Sequence, residues 1–239
     1  MKKPQAISFD LDGTLVDTAA EIAEAANRTL AEFGLQRRPL QQIQLLIGRG
    51  SHALMSAVLA QARDESEAAR ALDEARVLER FDAHYADTTG EFSAPYPGAH
   101  EALELLRARG VRLACVTNKE FRHAQRLLQR HGLHRHFEMV VGGDSLPWQK
   151  PHARVLRVVA DAMGVPCADL LHVGDSAIDV ESGRNAGVRV WALPHGYNAG
   201  RPIAEACPDA LWPDLMSVAH AALGASPSSL HPQPSPCLP

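Results

Sequence analysis

The chain has 239 residues, of which 46% are hydrophobic and 22% charged, with a formal net charge of −4. That is enough apolar material for a sizeable core, in one large domain or in a domain with a substantial insertion. The charge supplies no basic face for a nucleic-acid backbone, so small molecules are the expected partners.

In chain order, the opening MKKPQAISFDLDGT carries two lysines, but its apolar run is broken at Asp10, too early for a signal peptide or a membrane span. QAISF reads as a short, buried strand. From Asp17 to about Phe92 the apolar residues follow helical spacing, as in AEIAEAANRTLAEFG, SHALMSAVLAQA and ARALDEARVLERFDAHYA, and SAPYPG (93–98) reads as a return linker. Apolar strand-like runs then recur at VRLACV (111–116), FEMVV (137–141), DLLHV (169–173) and VRVWAL (188–193). Between them lie helical patterns ending at Gly110 and Gly132, and one that starts at Pro151 and ends at Gly164. This alternation predicts an α/β fold, a Rossmann-like parallel sheet with helices on both faces, built from 1–16 and 93–223 and interrupted by a helical cap at 17–92. Residues 224–239, rich in proline and serine, read as a disordered tail. Cys115, Cys167, Cys207 and Cys237 are far apart and form no metal-ligand spacing, which favours a reduced, cytoplasmic protein.

Ligands of an open parallel sheet collect at the carboxyl ends of its strands, and the chemistry-bearing residues all fall there. Asp10 and Asp12 follow the first strand, Thr117 and Asn118 follow VRLACV, Lys150 lies on the loop after FEMVV, and Asp175 and Asp179 follow DLLHV. Two carboxylates two residues apart repel, so either a cation sits between them or they serve different steps. A calcium loop also begins Asp-x-Asp-Gly and would place a ligand at Glu21, but Leu15 holds the position such a loop reserves for glycine, and a strand rather than a helix precedes the motif.

The elements FDLDGT, VTN, KP and GDSAID, in this order, resemble the four motifs of the haloacid dehalogenase-like hydrolase superfamily. Within it, the opening FDLDGTLVDT, IGRG (47–50) and GYNAGRPI (196–203) look like the phosphoglycolate phosphatase family. The resemblance implies a Mg²⁺-dependent phosphatase acting on a small phosphate monoester, 2-phosphoglycolate foremost, through a phosphoaspartyl intermediate. It makes Asp10 the nucleophile and Asp12 the acid and base. Asp10, the Asp12 backbone carbonyl and Asp175 would hold the cation, Thr117, Asn118 and Lys150 the phosphoryl group, and Asp179 would orient the metal's waters or Lys150. Arg49, between Gly48 and Gly50, would face the site from the cap and grip a substrate carboxylate in a bidentate fork.

Other readings compete. The substrate could be another small phosphorylated metabolite such as a sugar phosphate, the enzyme a phosphomutase, or the site a phosphate-binding module without turnover. His131, His134 and His136 invite a zinc reading, but they lack neighbouring cysteine or acidic ligands and span a predicted helix end. The expected partner is a small phosphorylated metabolite, not nucleic acid or a membrane, and the sequence carries no sign of oligomeric state.

Overall fold

The computed structural model describes residues 3–224. The expected disordered tail at 224–239 lies, apart from Gly224, outside the described residues. In chain order the elements are β1 (Ala6–Phe9), β2 (Val16–Asp17), α1 (Ala19–Glu32), α2 (Leu40–Gln44), α3 (Ser51–Glu65), α4 (Glu67–Arg70), α5 (Glu74–Thr88), β3 (Ala94–Pro95) and α6 (Ala99–Ala108). There follow β4 (Arg112–Val116), α7 (Phe121–Arg130), β5 (Met139–Val141), α8 (Ala153–Ala162), β6 (Leu170–Gly174), α9 (Ala177–Ala186), β7 (Arg189–Ala192), β8 (Ala210–Leu211) and α10 (Leu215–Ala222).

The strands other than β2 and β3 form a six-stranded sheet in the order β5-β4-β1-β6-β7-β8, every pair parallel. Because side chains alternate along a strand, each of these apolar runs feeds two cores. Ile7, Phe9, Leu113, Cys115, Leu171 and Val173 pack with α6, α7 and α10 on one face. Ala6, Ala114, Val116 and Leu170 pack with α8 on the other, where Val190 and Ala192 meet Val180 of α9. The expected α/β class, with helices on both faces, is what the chain forms. The strand order reverses at β1, which places a crevice at its carboxyl end.

The helical stretch from α1 to α5 has an apolar cluster of its own, around Ile22, Leu30, Met55, Leu59, Phe81 and Tyr85. The spacing of ARALDEARVLERFDAHYA suggested continuous helix, but the chain breaks it between α4 and α5, where Asp73 accepts from Ala75 N at 3.2 Å as the N-cap of α5. The stretch is entered and left through an antiparallel ribbon, with Val16 opposite Pro95 and Asp17 opposite Ala94. This ribbon and β8 were not legible as strands, being two residues long each. Cys115 and Cys167 are free thiols. Among the described residues no helix is long and apolar enough to cross a membrane.

Candidate active site

Asp10 stays in register with the sheet one residue past β1, its N–H donating to Val173 O at 2.9 Å. This aims its carboxylate into the crevice, where Lys150 Nζ lies 3.0 Å from Oδ1. Lys150 also donates to Asp179 Oδ1 at 2.7 Å, and its loop is fixed by Asn118. The Asn118 amide donates to Lys150 O at 2.9 Å and to Gly48 O at 3.0 Å, while its oxygen accepts from Lys150 N at 2.9 Å. The Asn118 side chain, expected to hold phosphate, is thus spent on clamping two loops together.

Asp179 is the most fully satisfied acid. It is completely buried and closes a capping box at the start of α9 with Ser176. Its Oδ2 accepts from Asp175 N, Ser176 N and Ser176 Oγ at 3.3, 3.1 and 2.7 Å. His172 Nε2 lies 3.0 Å from its Oδ1, and Ser8 Oγ 2.9 Å from His172 Nδ1. Burial alone would push the Asp179 carboxyl up, but Lys150 and His172 more than offset it and hold the group well below the usual carboxylate range.

Asp175 accepts from Thr14 Oγ1 at 2.6 Å on one oxygen and from Tyr197 N at 2.6 Å on the other. The backbone presses close around it. A Cβ on Gly196 would fall 2.1 Å from Asp175 Oδ2, and one on Gly13, whose φ is +84°, would fall 2.5 Å from the same atom. Burial, reinforced by the nearby charges of Asp179 and Asp10, pushes Asp175 well above its ordinary pKa. Burial likewise pushes Asp10 up to about 7, against the pull of Lys150 and with Asp179 and Asp12 adding to the rise.

Carboxylate oxygens of Asp10, Asp175 and Asp179 lie within 4.8 Å of one another, and Asp10 Oδ1, although beside Lys150, makes no hydrogen bond. Two carboxylates whose ionised form burial disfavours, each with lone pairs to spare, suit a hard cation with oxygen ligands such as Mg²⁺. Of the three, Asp179 has the least to offer it, since each of its oxygens already meets two or three donors, against one for each oxygen of Asp175.

A small pocket beside these acids is lined by Asp10, Asp12, Thr117 and Asn118 together with Gly48, Leu54 and Tyr85 of the helical stretch and Lys119. Thr117 Oγ1 accepts from Lys119 N at 3.2 Å, leaving its own proton to donate. The structure therefore brings Asp10, Asp12, Thr117, Asn118, Lys150, Asp175 and Asp179 to one place. Arg49 is exposed and lines three grooves at the edge of this place, one beside Glu120 and Gln149, one beside Ile178 and Tyr197, and one that it shares with Asn118 and Lys150 of the site. His131 of the histidine-rich segment pairs instead with Ser93 Oγ at 2.9 Å.

Three residues were missed from sequence. Lys119, 3% exposed, bonds to Asp12 Oδ1 at 2.9 Å; its place directly after VTN was the available signal. His172 looked like one more strand residue. Tyr197 joins the acid cluster to the ribbon, its N–H on Asp175 and its hydroxyl donating to Asp17 while accepting from Thr18 N and Ala19 N at 2.8 and 3.0 Å. An aromatic residue beside glycine in GYNAG was the available signal.

Residues 7–193 match the model of the haloacid dehalogenase-like hydrolases, and the chain belongs to that family. Over 214 residues it is 42% identical to a phosphoglycolate phosphatase of Pseudomonas syringae pv. tomato, covering 90% of this chain and 78% of that one. A phosphoglycolate phosphatase of Thiobacillus denitrificans is 38% identical over 215 residues, 90% of this chain and 94% of that one. Among solved structures, a predicted phosphoglycolate phosphatase of Haemophilus somnus superposes with a TM-score of 0.84 at 33% identity, covering 91% of this chain and 97% of that one. Those names agree with the enzyme class that the four motifs suggested, a phosphoric monoester hydrolase.

Proposed function

We propose that the protein is a Mg²⁺-dependent phosphatase that hydrolyses 2-phosphoglycolate to glycolate and phosphate through a phosphoaspartyl intermediate. The observation that carries this reading is the pairing of Asp10, held by Lys150 with a lone pair unspent, and Asp12, two residues on and turned to a different partner. Relatives named for this activity at about 40% identity support the choice of substrate. The partner on this reading is a small phosphorylated metabolite, and the setting cytoplasmic.

Asp10 Oδ attacks phosphorus, and the bond to the substrate's alkoxide oxygen breaks. Asp12, entering protonated, gives its proton to that oxygen, so glycolate leaves as the alcohol. Asp12, now a carboxylate, takes a proton from water as the water oxygen attacks phosphorus, and phosphate departs with Asp10 restored. Lys150 and the Thr117 hydroxyl are placed to neutralise and orient the phosphoryl oxygens. Asp10, Asp175 and the Asp12 carbonyl would hold Mg²⁺, which when bound offsets charge between the anionic nucleophile and the substrate dianion.

A panel of phosphorylated metabolites compared by kcat/KM tests the substrate, with phosphoglycolate expected to lead; a sugar phosphate preferred over it would overturn the choice. Excess EDTA is expected to reduce turnover to background and added Mg²⁺ to restore it. Full activity with metal shown to be absent would exclude the proposed dependence. Gly196→Ala, which drives a methyl group into Asp175, should weaken Mg²⁺ binding by roughly 10–100-fold. Calorimetric titration reads this directly, and unchanged affinity would mean that the loop yields without moving the carboxylate.

A further inference from the structure

Lys119 is a buried cation that the proposed chemistry does not use. Its side chain is 1% exposed, and its ammonium meets Asp12 Oδ1 at 2.9 Å, Glu21 Oε1 at 3.2 Å and the Tyr85 hydroxyl. The same nitrogen lies 4.8 Å from the centre of the Tyr85 ring. An ammonium has three protons to donate, and three oxygens take them, so none is left for a substrate oxygen.

The partners come from both sides of the pocket. Asp12 follows β1 and Lys119 follows β4, whereas Glu21 is on α1 and Tyr85 on α5. Glu21 is itself completely buried and its second oxygen accepts from Gly90 N at 2.7 Å, while the Tyr85 ring packs between Phe81 and His123. The two residues that hold Lys119 from the helical stretch are thus themselves fixed. Among the described residues, Lys119 is the one hydrogen-bond partner of the Asp12 side chain. Burying so many charges costs more desolvation than an apolar filling of the same space would, so the cluster is poorly explained by stability alone.

We propose that Lys119 is the positioning residue for Asp12, held by Glu21 and Tyr85 of the helical stretch, so that seating of that stretch over the crevice and proton transfer by Asp12 are coupled. This rests on the reading of Asp12 as acid and base. A misplaced acid slows only the departure of a leaving group that needs a proton.

The test is Lys119→Met, assayed in the full-length enzyme with Mg²⁺ by single-turnover leaving-group release from phosphoglycolate and from p-nitrophenyl phosphate, alongside steady-state kcat and KM. Release of glycolate is expected to slow by roughly 10²-fold, the lower end of what general acid catalysis supplies, with KM little changed and nitrophenolate release close to wild type. Because Lys119→Met strands Glu21, the pair Lys119→Met with Glu21→Gln balances the charge and leaves an oxygen for Gly90. Tyr85→Phe, which deletes only the hydroxyl, should show the same leaving-group signature at smaller size. Equal slowing of both esters in these variants would make the cluster merely structural and overturn the proposal. A raised KM for phosphoglycolate at unchanged kcat would do so too, by making Lys119 a substrate ligand. Asp12→Asn is run in parallel: if it slows both esters equally the acid role itself fails, whereas selective slowing by Asp12→Asn without it in the Lys119 variants defeats only the present inference.

Discussion

Asp10→Asn is expected to reduce phosphatase turnover by roughly 10⁴-fold or more, the scale on which removal of a nucleophile acts. The amide is nearly isosteric but cannot attack phosphorus, and the loss should be as deep for p-nitrophenyl phosphate as for phosphoglycolate, since both must pass through the same first bond. Acid-quenched wild-type enzyme should carry protein-bound phosphate and the variant none; near-native kcat in the variant would remove Asp10 from the role. Stability should move the other way. Burial raises the metal-free Asp10 carboxyl to about 7 from an ordinary value of 3.8, so the folded chain binds more protons than the unfolded one between those values, and stability falls as pH rises through that window. Asparagine has no proton to lose. Metal-free Asp10→Asn should therefore melt no lower than metal-free wild type at pH 7 and show a weaker decline from pH 4 to 7; a clear drop in melting temperature would contradict the cost assigned to this buried charge.

Asp12→Asn should lower turnover of phosphoglycolate by roughly 10²–10⁴-fold while leaving Mg²⁺ affinity close to wild type. The asymmetry follows from which atoms are used. The proposed metal contact is the Asp12 backbone carbonyl, which the substitution leaves in place, whereas the proton is carried by the side chain, which bonds to Lys119 rather than to the acid cluster. The loss should shrink for p-nitrophenyl phosphate in single-turnover leaving-group release, because nitrophenolate departs without a proton. Equal losses on the two esters would take the acid role from Asp12, and a large fall in Mg²⁺ affinity would bring its carboxylate into the metal site.

The strands that carry the site were legible because each is a continuous apolar run ended by polar residues, and burial on both faces leaves that mark in any stretch of four or five residues. Asp10, Asp12, Asp175 and Asp179 could be found because each follows such a run within a few positions. Lys119, His172 and Tyr197 could not be, because their meaning lies in partners far along the chain. Lys119 and Asp12 are 107 residues apart, and Tyr197 and Asp17 are 180; no local period encodes such a meeting. Asn118 shows a subtler loss. Its position at a strand end was right, but a side chain that both donates and accepts can serve a ligand or the chain's own backbone, and only the placement of the Lys150 and Gly48 carbonyls shows that it serves the backbone. Arg49 follows Gly48 and precedes Gly50, and such a loop fixes little about where a long side chain goes; the grooves it lines, one of them shared with Asn118 and Lys150, are read from the structure alone.

The ribbon of Val16–Asp17 against Ala94–Pro95 has an evolutionary consequence. Both crossings between the sheet and the helical stretch lie side by side in one pair of strands, so from the sheet's side everything between them is a single closed excursion whose ends are already joined. Its contents can lengthen, shorten or be exchanged without shifting the register of any strand that carries Asp10, Thr117 or Asp175. A chain built this way can keep its bond-breaking half constant while the half that covers it diverges away from its few contacts with the site, Glu21, Gly48 and Tyr85, so that new substrates become reachable by rewriting one uninterrupted stretch of sequence.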